Sequence, residues 1–96
     1  MIIKNGAVFQ EDGLFKKQDL YIENHKIVAS REEVSDDMEV DASGLLVIPG
    51  LIDIHSHGAA GHDFSDGDAQ GLKKILKYEK EHGITSYCPT SVTLPK

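Results

Sequence analysis

Two histidines one residue apart, His55 and His57, close a short apolar run in the segment Pro49-Gly-Leu-Ile-Asp-Ile-His-Ser-His-Gly58. On an extended strand side chains alternate between faces, so Asp53, His55 and His57 point the same way. Cα atoms two residues apart lie about 7 Å from each other, so two imidazoles can reach one ion through bonds of about 2.0–2.1 Å. One acid and two imidazoles are costly on a single face of an apolar strand unless that face lines a polar site. The pattern predicts metal chemistry, with His55 and His57 as ligands and Asp53 as a carboxylate that orients one of them. The competing reading is a set of polar residues at a strand end, satisfied by backbone groups or water.

A strand that ends in ligands needs elements to hold it. After the breaker pair Pro49-Gly50, Leu51–His57 reads as that strand and 58–68 as a loop rich in glycine and aspartate. Asp66 or Asp68 is placed to cap a helix running to about His82, with Leu72, Ile75, Leu76 and Glu79 on one face. Gly83 sits just past the expected helix end, where His82 can meet the last carbonyls. Residues 84–92 then read as a second strand, broken near Pro89. Strand, loop, helix and strand in succession predict a βαβ unit and a parallel sheet.

Upstream, the chain reads as short strands between turns. Asn5-Gly6 predicts a tight turn between Met1–Lys4 and Ala7–Phe9, and Glu11-Asp12-Gly13 a second turn. Asn24-His25 joins two strands as a two-residue hairpin, which leaves His25 exposed. The charged stretch 31–37 reads as a solvated loop, and Ser43-Gly44 as a further turn. The expected organisation is therefore a β-rich module over 1–47 and a βαβ segment over 48–96.

The chain has 96 residues, 40% hydrophobic and 27% charged, the size of one small domain. Its longest apolar run, Leu45 to Ile48, is far short of the roughly 20 residues of a membrane span. The start lacks the basic residues and long apolar centre of a secretory signal. A formal charge of −6 and the lack of a basic stripe argue against nucleic acid as a partner. Cys88 is the single cysteine, so no internal disulfide can form, and a cytoplasmic location is expected. Next to Pro89 in an apolar strand, Cys88 reads as a buried, inert thiol. His62 and Asp63, in the loop over the site, are candidate substrate-loop residues, with local hydrogen bonding as the alternative. The lysines of the helix read as a solvated face.

These motifs resemble the entry segment of the amidohydrolase superfamily, and within it the N-acetylglucosamine-6-phosphate deacetylase family. Three further stretches carry the second resemblance: His57-Gly-Ala-Ala-Gly-His-Asp-Phe64, Ser65-Asp-Gly67, and His82-Gly-Ile-Thr-Ser-Tyr-Cys-Pro-Thr-Ser-Val-Thr-Leu-Pro95. The resemblance implies that 1–47 is part of a small β-sandwich. It implies that 48–96 begins a (β/α)8 TIM-like barrel, with strand 1, helix 1 and strand 2. Barrel active sites sit at the C-terminal ends of strands, where His55 and His57 stand. On this resemblance the two histidines are the first two metal-site residues of a divalent ion, expected to be zinc, with iron, cobalt or nickel compatible. A mononuclear and a binuclear site both stay open.

The resemblance further implies hydrolysis of N-acetylglucosamine 6-phosphate, a small amino-sugar phosphate, to glucosamine 6-phosphate and acetate. It also implies a homodimer in the full-length form. The general-base aspartate and the groups that grip sugar and phosphate are expected beyond residue 96, so no catalytic residue is assigned within the chain. The two strands need neighbours, and the expectation is an N-terminal portion that depends on the rest of a barrel and is inactive alone. Rival readings are another amidohydrolase, hydantoinase-, dihydroorotase- or deaminase-like, or a non-catalytic fragment or binding module.

Overall fold

A computed structural model describes residues 1–94; Pro95, which closes the last of the three quoted stretches, lies outside the described residues with Lys96. The chain divides into two compact units, one from Met1 to Pro49 and one from Gly50 onward. Among the described residues it is β-rich with a single α-helix. Among the described residues no helix is long and apolar enough to cross a membrane.

The first unit is one mixed sheet of β1 (Ile2–Phe9), β2 (Phe15–Glu23), β3 (Lys26–Val28), β4 (Glu39–Asp41) and β5 (Leu46–Val47). β2 runs antiparallel to both β1 and β3, whereas β4 and β5 pair with β1 in parallel. Asn24 and His25, at φ 48° and 64°, form the connection between β2 and β3. Two consecutive positive φ values match the right-handed twist of the flanking strands, and asparagine tolerates that region best among residues with a side chain. His25 is exposed there, in accord with its sequence pattern.

Asn5-Gly6 is not the expected turn. β1 continues through it, and the pairing steps from Ile3 opposite Leu20 to Gly6 opposite Gln18, three residues against two. The extra residue is a β-bulge with Asn5 at φ 62°. Side chains stabilise it: the Asn5 N–H donates to Asp19 Oδ1 at 2.9 Å and its Nδ2 to Asp41 Oδ1 at 3.3 Å. Gly6 is required for packing, because a Cβ there would lie 2.5 Å from Val47 Cγ2 and 3.2 Å from Ala42 Cβ. The glycine thus lets β5 close on β1.

Ile2, Val8, Val34 and Ala42 are the buried apolar residues of this unit. Val34 corrects the solvated loop expected over 31–37. A 3-10 turn at Arg31–Glu33 directs it inward, held as Glu33 Oε2 accepts the N–H groups of Ala29 and Ser30 at 2.9 and 3.0 Å. Glu23 then receives both the N–H and the hydroxyl of Ser35, at 2.8 and 2.7 Å.

The second unit holds β6 (Leu51–Ser56), β7 (Gly58–Ala59), β8 (His62–Asp63), α1 (Ala69–Glu81) and β9 (Ile84–Pro89). β6 and β9 pair in parallel across the intervening helix, which makes β6–α1–β9 a βαβ unit. Asp68, rather than Asp66, caps α1, accepting the N–H groups of Gln70 and Gly71 at 3.0 Å each. At the other end Gly83 has φ 87°, and the His82 ring bonds the Tyr78 carbonyl through Nδ1 at 2.7 Å. The buried stripe of α1 is Gly71, Ile75 and Glu79, narrower than expected because Leu76 stays 44% exposed.

Cys88 is exposed, against the expectation of a buried thiol. That expectation assumed a parallel strand covered on both faces. In the structure the two-stranded sheet leaves much of its surface open, with Ile54 of β6 at 78% exposure.

Two outcomes follow for the first unit. Gly6→Ala is expected to destabilise it by about 1–3 kcal/mol in urea unfolding, because the added methyl has no space; a change within error would show that β5 can move aside. The carboxylates of Glu23 and Asp41 are held below their ordinary values of 4.5 and 3.8, chiefly by the hydroxyls of Ser35 and Ser43. Their stabilisation is therefore complete above those values and disappears as pH falls through the lowered folded ones. Unfolding midpoints should drop from about pH 4 downward, and Ser35→Ala with Ser43→Ala should flatten that slope.

Candidate metal centre

β6 ends one residue before His57, so Asp53 and His55 lie on the strand and His57 at its exit. The two imidazoles meet edge to face, with ring centroids 5.0 Å apart and planes at 88°. Both are exposed, while Asp53 is half-buried. Asp53 Oδ1 accepts the backbone N–H of His55 at 3.0 Å. It orients the histidine through the main chain rather than through the ring.

The end of β9 holds the exit of β6 in place. The Thr90 N–H donates to the Ser56 carbonyl at 2.8 Å, and the Thr90 carbonyl lies 3.0 Å from Nδ1 of His57. A carbonyl oxygen can only accept, so this bond places the proton on Nδ1 and leaves the Nε2 lone pair free. A metal-binding histidine commonly has its other ring nitrogen engaged in this way. His57 Nε2 is thereby left available beside the His55 ring. Among the described residues, however, no group of three His, Cys, Asp or Glu side chains comes together to complete a shell.

The loop that follows is more ordered than the sequence indicated. β7 and β8 pair as a hairpin across Ala60 and Gly61, whose φ values are 53° and 78°. A Cβ on Gly58 would run into the His62 carbonyl, so glycine is required where the hairpin closes. The loop is tied back at two points: the Phe64 N–H bonds the His57 carbonyl at 2.7 Å, and the Val92 N–H bonds Ser65 Oγ at 2.9 Å.

The two loop candidates occupy different places. Asp63 accepts the Ser65 N–H at 2.7 Å and receives Asp66 Oδ2 on its own N–H at 3.1 Å, a reciprocal cap on the 3-10 turn Phe64–Asp66. His62 is half-buried, and its ring lies against the first turn of α1, where a Cβ on Gly71 would sit 3.0 Å from Nδ1. Neither joins His55 and His57 in a three-residue metal group. The spacing Asp63-x-x-Asp66 carried the signal for the cap. The role of the Thr90 carbonyl had no signal, because every residue has that group.

Against known proteins, an N-acetylglucosamine-6-phosphate deacetylase of Bos taurus is 32% identical over a 97-residue alignment that takes in 98% of this chain and 23% of the relative. The Caenorhabditis elegans protein of the same name is 33% identical over 100 residues, 93% of this chain and 24% of the relative. A dihydroorotase of Listeria innocua is 41% identical over 97 residues, again 98% of this chain and 22% of the relative. The chain thus resembles the N-terminal portion of N-acetylglucosamine-6-phosphate deacetylases and spans under a quarter of the length of these relatives. The relatives are hydrolases, in keeping with the amidohydrolase resemblance. No protein-family model and no solved structure matches the chain.

Long-range 1H–15N correlation spectra should find neutral His57 as the Nδ1–H tautomer; an Nε2–H tautomer would sink the proposed orientation. Zinc added to the chain is expected to shift the ring signals of His55 and His57 together. Asp53→Ala should weaken that binding about 10–100-fold, as loss of an orienting group commonly does.

Proposed function

We propose that the chain supplies the first two metal ligands of an amidohydrolase-type deacetylase that acts on N-acetylglucosamine 6-phosphate. The observation that carries the reading is the Nδ1 of His57 engaged by Thr90, which leaves Nε2 available beside the His55 ring. A divalent ion bound there would supply Lewis acidity, making a bound water more acidic and polarising a carbonyl. His55 and His57 would hold that ion, zinc being the expected one. Asp53 keeps the His55 backbone in place, and Thr90 does the same for the His57 ring. The reaction adds water across the acetamide C–N bond and releases acetate and glucosamine 6-phosphate.

Two histidines are fewer than the three protein ligands usual at catalytic zinc. The remaining ligands, the carboxylate that accepts the water's proton and the groups that bind the phosphate are assigned to the rest of such an enzyme. In the same reading the segment from residue 48 is the first βαβ unit of a (β/α)8 barrel, and residues 1–47 belong to its accompanying β-sandwich. The loop at Gly61-His-Asp-Phe64 and the Pro89-Thr90 strand end favour the deacetylase. The 41% identity to a dihydroorotase supports a second reading, in which the same ligands serve hydrolysis of a cyclic amide.

A protein carrying this chain ahead of the remaining length of its relatives is expected to release acetate from N-acetylglucosamine 6-phosphate and to leave dihydroorotate intact. His55→Asn or His57→Asn should each lower kcat/KM by more than about 100-fold, beyond the range typical of groups that only orient ligands. Turnover of dihydroorotate instead would establish the second reading. The 96-residue chain alone, loaded with zinc, should yield no measurable acetate.

A further inference from the structure

We propose that the pocket between α1 and β9 receives a guanidinium group, an arginine of a protein segment packed over this face, with Glu79 as its counter-charge. The pocket measures about 410 Å³ and is lined by Leu76, Glu79, Lys80, Ile84, Thr85 and Tyr87. Glu79 is only 9% exposed. Its carboxylate has no hydrogen-bond or ion-pair partner among the described residues, whose ion pairs all involve other groups. A buried carboxylate without a partner is among the most unfavourable arrangements a fold can hold. Among the described residues none of the fully buried side-chain oxygens lacks a partner. The Glu79 oxygens must therefore keep some access, and the space they line is this pocket.

The chemistry of the lining selects the occupant. One carboxylate makes a poor metal site, and no metal-binding group of three residues forms among the described residues. A guanidinium offers five donors in a plane, enough to serve the carboxylate and the Thr85 hydroxyl together. Leu76, Ile84 and the Tyr87 ring supply apolar surface for an alkyl stem and a planar head. Lys80 lines the same pocket, but it is exposed and forms no ion pair with Glu79. Its charge opposes a second cation without replacing it. The lining includes neither His55 nor His57, although the Tyr87 hydroxyl donates to the Ser56 carbonyl between them at 3.5 Å.

Ethylguanidinium can serve as the probe, with ethylurea as its uncharged analogue, each titrated into the 96-residue chain and followed by NMR at Glu79, Thr85 and Tyr87. Ethylguanidinium is expected to cause saturable shifts, weakened at least about 10-fold by Glu79→Gln and kept or strengthened by Lys80→Met. Equal shifts with ethylurea, measured on the unaltered chain, would overturn the proposal. An undiminished response in folded Glu79→Gln would do the same.

Discussion

The second unit depends on the way the end of β9 grips the exit of β6. Thr90 bonds β6 twice, through its N–H to the Ser56 carbonyl and through its carbonyl to the His57 ring. Parallel pairing makes this possible, because it brings the C-terminal ends of both strands to the same side. The helix between them is the crossover that parallel strands require, and its ends are defined by Asp68 and Gly83. The same pairing explains the glycine that precedes β6, since a Cβ on Gly50 would collide with the Thr85 side chain. Strand pairing and the orientation of the His57 ring are therefore one set of hydrogen bonds.

The loop after the histidines is fastened to this frame rather than hung over it. Its hairpin, its capped 3-10 turn and its bonds to His57 and Val92 tie it to the exit of β6 and to the segment after β9. Asp63 is used in that scaffolding, and His62 leans on α1. The loop thus shapes the surroundings of the pair without adding a ligand to it. Polar loop residues often divide in this manner, since a rigid backbone must be hydrogen-bonded before it can position anything.

Both units bury few apolar residues and leave many exposed. The first unit wraps β1 with partners on both edges and buries Ile2 almost completely, at 1% exposure. The βαβ unit has one helix for two parallel strands, a type of sheet usually covered on both faces. Ile52, Ile54 and Cys88 are exposed for that reason, while Glu79 is buried on the helix.

Much of this was legible in the residues themselves. Two histidines at a spacing of two, after an apolar run and a Pro-Gly break, announced a shared direction by the alternation of a strand, and their rings lie 5.0 Å apart. Asp68, Gly83 and Asn24-His25 announced a cap, a helix stop and a hairpin, because each signal is local and acts through its own backbone. Asn5-Gly6 misled, since the same preference for positive φ serves a turn or a bulge, and only Asp19 and Asp41, brought in from other strands, decide between them. Burial of Val34, exposure of Cys88, the His57–Thr90 bond and the unpaired Glu79 likewise depend on partners distant in the chain. Sequence determined which residues could cap, turn or ligate; tertiary structure decided which groups they meet, because burial and hydrogen bonding are properties of neighbours in space.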